Sequence, residues 1–451
     1  MIETEGRRAM VVGYGRSGRA AVAFLKRHGA SVTVVDHADT PELRSALEQD
    51  GVSGWLGASA PPSLDDIDVL VVSPGVAWDS PLVESARQRG VAVTSELDLF
   101  FDLCPCPIAG ITGTNGKTTT TALTAEVLRA GGLNVIRGGN IGEPVLDRLE
   151  QLRADDWVVL ELSSFQLESI RRPRLRIGAV LNVTPDHLDR HKTMEQYRQI
   201  KARAVAFMQP EDHAVLNFDD PACAAMAALT RGTVLPFALR SEIQTGILVI
   251  DGSIAHRDGK RVQPVVSVAE VPLPGAHNLS NVMAAVGAGL AAGVAANQIG
   301  DAVRQFKAVE HRLELIGTYA GVRWYNDSKA TNPDSTYKAL DAFSQPIVLI
   351  AGGRNKGVEI GPLATAIALR VAGLVTIGET GEELERLARA QGLQQVARAS
   401  DLGDAVRRAA AMAKSGAVVL LSPAFTSFDM FRDYEDRGRQ FKATVRAELG
   451  R

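Results

Sequence analysis

Short apolar runs alternate with helix-patterned segments along the whole chain, and this alternation constrains the fold more than any other feature. Ala9–Gly13, Ser31–Asp36, Val69–Ser73 and Val91–Thr94 read as buried strands, with a helix over Arg19–His28. A second series opens at Ile108–Thr112 and continues through Trp157–Leu162 and Ala179–Val183. A third takes in Arg323–Asn326, Ile347–Ala351, Val375–Ile377 and Val418–Leu421. Strands separated by helices predict βαβ units around parallel sheets. Thr233–Val271, with Asp251-Gly252 and Asp258-Gly259 turns, is expected to add short antiparallel strands, followed by helices over Asn278–Gly293 and Ala296–Phe306. Leu97–Pro107, with two prolines and two cysteines, reads as a connector. The predicted architecture is α/β with three domains, over 1–97, 98–309 and 310–451. The first and last are expected to be Rossmann-like. The central one is expected to be a phosphate-loop ATPase domain carrying a small antiparallel insertion. A chain of 451 residues fits that division at roughly 150 residues per domain.

Composition narrows the partners. Lys and Arg total 49 against 52 Asp and Glu, a net charge of −3, which gives no electrostatic case for nucleic acid or an anionic membrane. Three cysteines are too few for a disulfide framework or a four-thiolate zinc site. Met1–Arg8 lacks the apolar stretch of an export signal, and Val282–Ala296 is short for a bilayer span. A cytoplasmic monomer without a membrane span is expected.

Ile111-Thr-Gly-Thr-Asn-Gly-Lys-Thr-Thr119 follows an apolar strand and precedes a helical pattern over Thr120–Arg129. Gly113 and Gly116 allow a tight turn in which successive N–H groups of Thr114, Asn115 and Thr119 face an anion. The helix start adds partial positive charge, Lys117 a cation, and Thr118 a hydroxyl suited to Mg²⁺. The strict phosphate-loop pattern wants glycine where Ile111 stands, so the motif is a variant.

A second glycine turn, Gly13-Tyr-Gly-Arg-Ser-Gly18, follows the first strand, with Asp36 at the end of the second. Alone it reads equally as a dinucleotide turn, predicting NAD, or as a turn tightened for packing. Ser73-Pro74-Gly75 falls where the crevice of such a sheet opens.

Glu161 ends an apolar strand, where a carboxylate faces the ligand crevice and can serve Mg²⁺. His187 and His191 stand four apart in Pro185-Asp-His-Leu-Asp-Arg-His191, but Leu188 replaces the glutamate that a zincin motif requires. His187 is taken as the site residue and His191 as a surface residue. On composition alone Lys201 reads as a solvated helix lysine.

Together these segments resemble the Mur ligases, ATP-dependent amide-forming enzymes of peptidoglycan precursor synthesis. The resemblance spans nearly the whole chain. It includes Gly139-Asn-Ile-Gly142, Glu161-Leu-Ser-Ser-Phe-Gln-Leu-Glu168, Gly275-Ala-His-Asn278, His311-Arg312, Asn326-Asp-Ser-Lys-Ala-Thr-Asn332 and Leu421-Ser-Pro-Ala-Phe-Thr-Ser-Phe-Asp429. The Glu161–Glu168 segment favours the member that joins D-glutamate to UDP-N-acetylmuramoyl-L-alanine. By the same resemblance, Thr118, Glu161 and His187 would serve Mg²⁺, and Lys201 would be carbamylated. Lys117, Glu161, His187 and Lys201 would form the catalytic set. Asn281, Arg312 and Asp327 would join residues 113–119 on ATP. Ser17, Asp36, Ser73, Gly75, Asn140 and Ser163 would bind the UDP-substrate. Thr331, Lys356, Ser427, Phe428 and Tyr434 would surround the amino acid, and Lys329 would also bind substrate. Asn355 departs from an acid common in the family, and Phe425-Thr426 from a usually small pair. Two other readings stay open: a related ligase with another acceptor, such as a folylpolyglutamate synthetase-like enzyme, and a nicotinamide-dependent dehydrogenase.

Overall fold

The structure, a computed structural model, describes residues 5–57 and 63–450. It divides into two compact units, Met1–Glu270 with Ser280–Arg304, and Val271–Leu279 with Gln305–Arg451. The first unit holds two sheets and the second holds one.

The first sheet has five parallel strands in the spatial order Ser53–Leu56, Ser31–Asp36, Arg8–Val12, Val69–Val72, Ala92–Thr94. The chain reverses its direction of strand addition between Arg8–Val12 and Val69–Val72, so the carboxyl ends of these two strands open a crevice. Gly13 and Ser73 stand at those ends, and the Ser73 hydroxyl donates to the Gly13 carbonyl at 2.7 Å.

The second sheet has nine strands. Ile108–Thr112 lies between Trp157–Glu161 and Ile177–Val180, all parallel. All five residues of Ile108–Thr112 are buried, as expected of a strand covered on both faces. The antiparallel expectation for Thr233–Val271 holds only in part. Thr233–Ala238 pairs parallel with His213–Asn217, and Gly246–Ile250 pairs parallel with Thr233–Ala238. Beyond that the pairing is antiparallel: Ser253–Asp258 pairs with Gly246–Ile250 on one side and with Arg261–Ser267 on the other, extending the same sheet. The glycine turns marked reversals correctly, but the pairing of the two preceding strands is set by the sheet they join.

Leu97–Pro107 is not a bare connector. Glu96–Leu103 is a helix, capped by the Ser95 side chain accepting the Asp98 N–H. Leu97, Leu99 and Phe100 are buried in one apolar cluster with Leu25 behind the first sheet and Leu160 in the second. The proline and cysteine signal was real but local to residues 104–107, and it masked an apolar helix just ahead of it.

In the second unit, Glu314–Tyr319 pairs antiparallel with Val322–Asn326. Parallel strands Val418–Leu421, Ile347–Gly352, Gly373–Ile377 and Val396–Arg398 follow in spatial order. Among the described residues no helix is long and apolar enough to cross a membrane.

A Cβ on Gly18 would lie 2.0 Å from the Gly13 carbonyl oxygen, whereas one on Gly15 would meet nothing within 4 Å. Gly18→Ala is therefore expected to cost about 1–3 kcal/mol of stability by overpacking. Gly15→Ala should leave thermal denaturation unchanged; equal melting of the two variants would refute the packing argument.

Candidate functional site: two anion clefts and a shared carboxylate

The loop after Ile108–Thr112 turns at Gly113 and Gly116, the latter left-handed at φ 85°. A Cβ on Gly116 would stand 2.2 Å from Asn281 Oδ1, so glycine is required there for packing as well as backbone conformation. Asn182, just past Ile177–Val180, braces the loop: its Oδ1 accepts from the Asn115 N–H at 2.8 Å, and its Nδ2 donates to the Asn115 carbonyl at 3.1 Å. Thr114 Oγ1 lies 3.1 Å from the Thr184 carbonyl and accepts the Thr184 N–H at 3.0 Å. The loop delivers the chain into the helix Lys117–Ala130. That helix has no side-chain cap and no acid in its first turn. Its first N–H groups are thus left for an anion.

Two lysines converge on the loop. Lys117 Nζ donates to the carbonyls of Gly113 at 2.9 Å and Thr114 at 2.7 Å. Lys201, from the helix Met194–Ala206, donates to the same Gly113 carbonyl at 2.9 Å. Lys201 is buried, at 1% exposure, which overturns its reading as a solvated helix lysine. Its ammonium lies 4.6 Å from the Tyr197 ring centroid. Burial first, and the Lys117 charge second, push its pKa well below the ordinary lysine value.

Glu161 is buried at the end of Trp157–Glu161. Its Oε2 accepts from Thr118 Oγ1 at 2.7 Å, and its Oε1 accepts from Asn140 Nδ2 at 3.0 Å. Gly139, at φ 94°, permits this approach, since a Cβ there would meet the Glu161 carbonyl at 2.3 Å. Thr118 and Glu161 present adjacent hard oxygen donors, a set suited to Mg²⁺. His187 is exposed and left-handed, with Nε2 3.4 Å from Asp186 Oδ2. It packs on Phe165 at 4.9 Å between ring centroids, and no described hydrogen bond joins it to Thr118 or Glu161.

Asn140 also lines a cavity of about 650 Å³ at the crevice of the first sheet, together with Gly13, Ser17, Asp36, Ser73 and Gly75. The helix beginning here, Arg16–Arg27, again has no side-chain cap and no first-turn acid. Asp36 accepts the Tyr14 N–H at 2.6 Å and the Ala38 N–H at 2.9 Å, so it shapes the turn itself. Arg16 lines the cavity and donates to the Gly142 carbonyl at 3.0 Å. Ser163 caps the helix Ser164–Ser169 in a capping box with Gln166, and of the two Gln166 lines the cavity.

In the second unit, Asp327 is buried and accepts from Ser422 Oγ at 2.9 Å and the Leu313 N–H at 3.2 Å. Burial raises its pKa to about 7. Lys329 Nζ sits 3.6 Å from the Tyr434 ring centroid, and Lys356 Nζ 5.8 Å from that of the exposed Phe428. Ser427 is buried. Asn355 closes a turn, bonding both ways with the Val358 backbone at 2.8 Å. Phe425 is buried, and Thr426 Oγ1 donates to the Arg354 carbonyl at 3.0 Å, which accounts locally for both departures from the family pattern. Buried Arg437 donates to Ser328 Oγ, the Ser328 carbonyl and the Phe425 carbonyl. Thr331 lies in the loop just before the helix Pro333–Leu340, and the Arg312 N–H donates to the Val309 carbonyl at 3.1 Å.

Two findings correct or extend the reading by sequence. His191, expected on the surface, is 3% exposed: its Nε2 lies 2.9 Å from Ser164 Oγ, and its ring stacks on Tyr197 at 5.4 Å. The polar residues around it gave no hint of that packing. Asn182, Tyr197, Arg16 and Arg437 were missed; Asn182 alone carried a signal, a polar residue directly after a buried strand.

A strand, a glycine loop and an uncapped helix with paired lysines define a nucleotide-binding α/β protein with a second anion cleft. Comparison with known proteins sharpens this. Residues 7–95 match the Mur ligase MurD-like N-terminal domain, 111–289 the Mur ligase middle domain, and 311–425 the Mur ligase glutamate ligase domain. A protein of Koribacter versatilis named UDP-N-acetylmuramoylalanine–D-glutamate ligase is 44% identical over 99% of this chain and 98% of its own. One of the same name from Pelotomaculum thermopropionicum is 43% identical over 97% of each. The fold is shared with the MurF ligase of Thermotoga maritima solved with ADP, at TM-score 0.61 and 16% identity, over 100% of this chain and 99% of that one. The chain belongs to the Mur ligase family.

His191→Leu leaves Ser164 without its buried partner and should cost about 1–3 kcal/mol in urea denaturation. His187→Leu, at an exposed position, should stay within about 0.5 kcal/mol. The reverse order would refute the burial assignment.

Proposed function

We propose that this chain joins D-glutamate to UDP-N-acetylmuramoyl-L-alanine at the cost of ATP, a step of peptidoglycan precursor synthesis. The observation that carries the reading is the convergence of Lys117 and Lys201 on the Gly113 carbonyl, beside an uncapped helix start. Lys117 supplies the cation at that turn, and Lys201, its pKa held well below the ordinary lysine value by burial, supplies an amine open to carbamylation. The relatives named as D-glutamate ligases align with the chain end to end, which favours this acceptor over that of a folylpolyglutamate-type enzyme. A dehydrogenase reading leaves residues 113–119 without a task.

A carboxylate is a poor acyl donor because oxide is a poor leaving group. The L-alanyl carboxylate oxygen attacks the γ-phosphorus of ATP, the bond to the bridging oxygen breaks, and ADP departs, leaving an acyl phosphate. The D-glutamate amine then attacks the acyl carbon. Phosphate leaves with the C–O bonding pair, and the nitrogen loses a proton as the amide forms. Lys117 swings from the loop carbonyls to the phosphates and offsets the charge that builds on them. Residues 113–119 hold the triphosphate in line, and positioning supplies most of the remaining rate. Asn281, Arg312 and Asp327 complete the ATP set. Thr118 and Glu161, with His187, would hold Mg²⁺, which when bound neutralises phosphate charge.

The first cleft takes the UDP portion: the uncapped Arg16–Arg27 helix start accepts the diphosphate, with Ser17, Asp36, Ser73, Gly75, Asn140 and Ser163 around it. Lys329, Thr331, Lys356, Ser427, Phe428 and Tyr434 take D-glutamate, whose two carboxylates require cations such as Lys356. Lys201 is carbamylated: its neutral amine attacks CO₂, the N–C bond forms and a proton is released, leaving a carboxylate-like anion. Burial supplies the neutral amine. The three domains proposed are 1–97, 98–309 and 310–451. All these residues lie on one chain, so a monomer is the proposed working unit, in the cytoplasm where ATP and UDP-sugars are at hand.

Phosphate release should require ATP, Mg²⁺, UDP-N-acetylmuramoyl-L-alanine and D-glutamate together, and L-glutamate should not substitute. Release with any one omitted would reject the reaction. Lys117→Ala should abolish turnover with the fold retained by circular dichroism; normal turnover would overturn the phosphate-loop role. Lys201→Ala should lose activity that small carboxylic acids partly restore, and full activity without additives would reject the carbamate.

A further inference from the structure

Two residues without glycine's freedom take left-handed backbone on either side of Arg312: His311 at φ 65° and Leu313 at φ 44°. Such backbone is costly for any residue with a Cβ, so it persists only where the surroundings hold it. Here the hold is polar and can be followed bond by bond. The His311 N–H donates to Glu314 Oε2 at 3.0 Å, and the Leu313 N–H to Asp327 Oδ1 at 3.2 Å. Asn326 Nδ2 donates to the same Glu314 Oε2 at 3.0 Å. Arg312 is thus carried by a turn whose two strained joints are pinned through Glu314 and Asp327.

Glu314 is itself held from the last helix, Tyr434–Leu449. Lys442 Nζ donates to Glu314 Oε1 at 2.9 Å and also to Glu310. The Lys442 side chain is 15% exposed, against 51% for Glu310. Gly438, one turn earlier, lets the helix come this close, since a Cβ there would meet His311 Nδ1 at 2.1 Å.

We propose that Lys442 is a positioning residue for ATP: it holds Glu310 and Glu314 in place, so that the strained turn keeps Arg312 in its ATP-binding position. This reaches beyond the assignment of Arg312 to ATP, on which it rests.

The charges require such a group. Carboxylate oxygens of Glu310 and Glu314 and a ring nitrogen of His311 lie within 4.8 Å of one another, so the two acids repel unless a cation stands between them. Lys442 is that cation. His311 adds a second demand. Asn326 Oδ1 accepts the Ser328 N–H at 3.2 Å, so its Nδ2 faces His311 Nδ1, at 2.9 Å, and donates to it. The proton of the neutral ring is then on Nε2. That Nε2 is buried, has no hydrogen-bond partner among the described residues, and stands 3.7 Å from Glu310 Oε1. Without Lys442, Glu310 is free to turn to this donor, and Glu314, no longer drawn to the helix, loosens its hold on the His311 N–H. The backbone then relaxes toward ordinary φ values, and Arg312 moves with it. Arg437, on the same helix, is committed to Ser328 and the Phe425 carbonyl and cannot substitute.

The test is steady-state kinetics of the full chain, with Lys442 and Arg312 changed singly and together. Lys442→Met should raise the KM for ATP roughly fivefold and leave that for UDP-N-acetylmuramoyl-L-alanine within about twofold. Lys442→Arg keeps the charge and should restore most of the affinity. Arg312→Met should raise the KM for ATP further than Lys442→Met does. In the Arg312→Met background, Lys442→Met should add almost nothing, because it acts through the residue already lost. Lys442→Gln, which keeps a donor for Glu314, takes the place of Lys442→Met in the same cycle should that variant not fold. An additive cycle, or an equal rise in both KM values, would overturn the inference while the ATP assignment of Arg312 stands. An unchanged KM for ATP in Arg312→Met would overturn the assignment and the inference together.

Discussion

The structure depends on holding two lysines beside one carbonyl. Cations placed together repel, and burial adds to that cost, so Lys201 gives up its proton far more readily than an ordinary lysine. The Lys201 side chain is kept there by its bond to Gly113 O and by the Tyr197 face, while Thr114, Asn182 and Thr184 stiffen the loop that carries Gly113. The rest of the central sheet supports the arrangement, bringing Ile108–Thr112 and Ile177–Val180 side by side so that loop and brace meet.

Glu161 joins this centre to the first cleft. One carboxylate oxygen is bonded to Thr118 on the phosphate loop, and the other to Asn140, which lines the cavity of the first sheet. A single buried side chain therefore answers to both clefts. The joint is stiff because Gly139 and Asn140 lie directly against the Glu161 backbone, where the Asn140 N–H donates to the Glu161 carbonyl at 2.8 Å.

Much of this was legible in the sequence because parallel strands are written as continuous apolar runs. Ile108–Thr112, Ser31–Asp36 and Val418–Leu421 keep their expected limits. The glycine turns at Gly13 and Gly113 were readable for the same reason: each directly follows such a run. What was not legible depends on neighbours distant in sequence. Lys201 looks like any surface lysine, and only tertiary packing buries it. His191 sits among charged residues and is covered by Ser164 and Tyr197. The helix Glu96–Leu103 was obscured by the prolines beyond it.

Both cleft-facing helices, Arg16–Arg27 and Lys117–Ala130, begin without a capping side chain, whereas Pro41–Asp50 is capped by Thr40. Both N-caps are glycines, Gly15 and Gly116, and such a cap forgoes about a few tenths of a kcal/mol against serine or threonine. On the proposed function, the ligands themselves would cap these two starts. Occupied clefts would then stabilise the fold by mass action, the more so the further each ligand exceeds its dissociation constant.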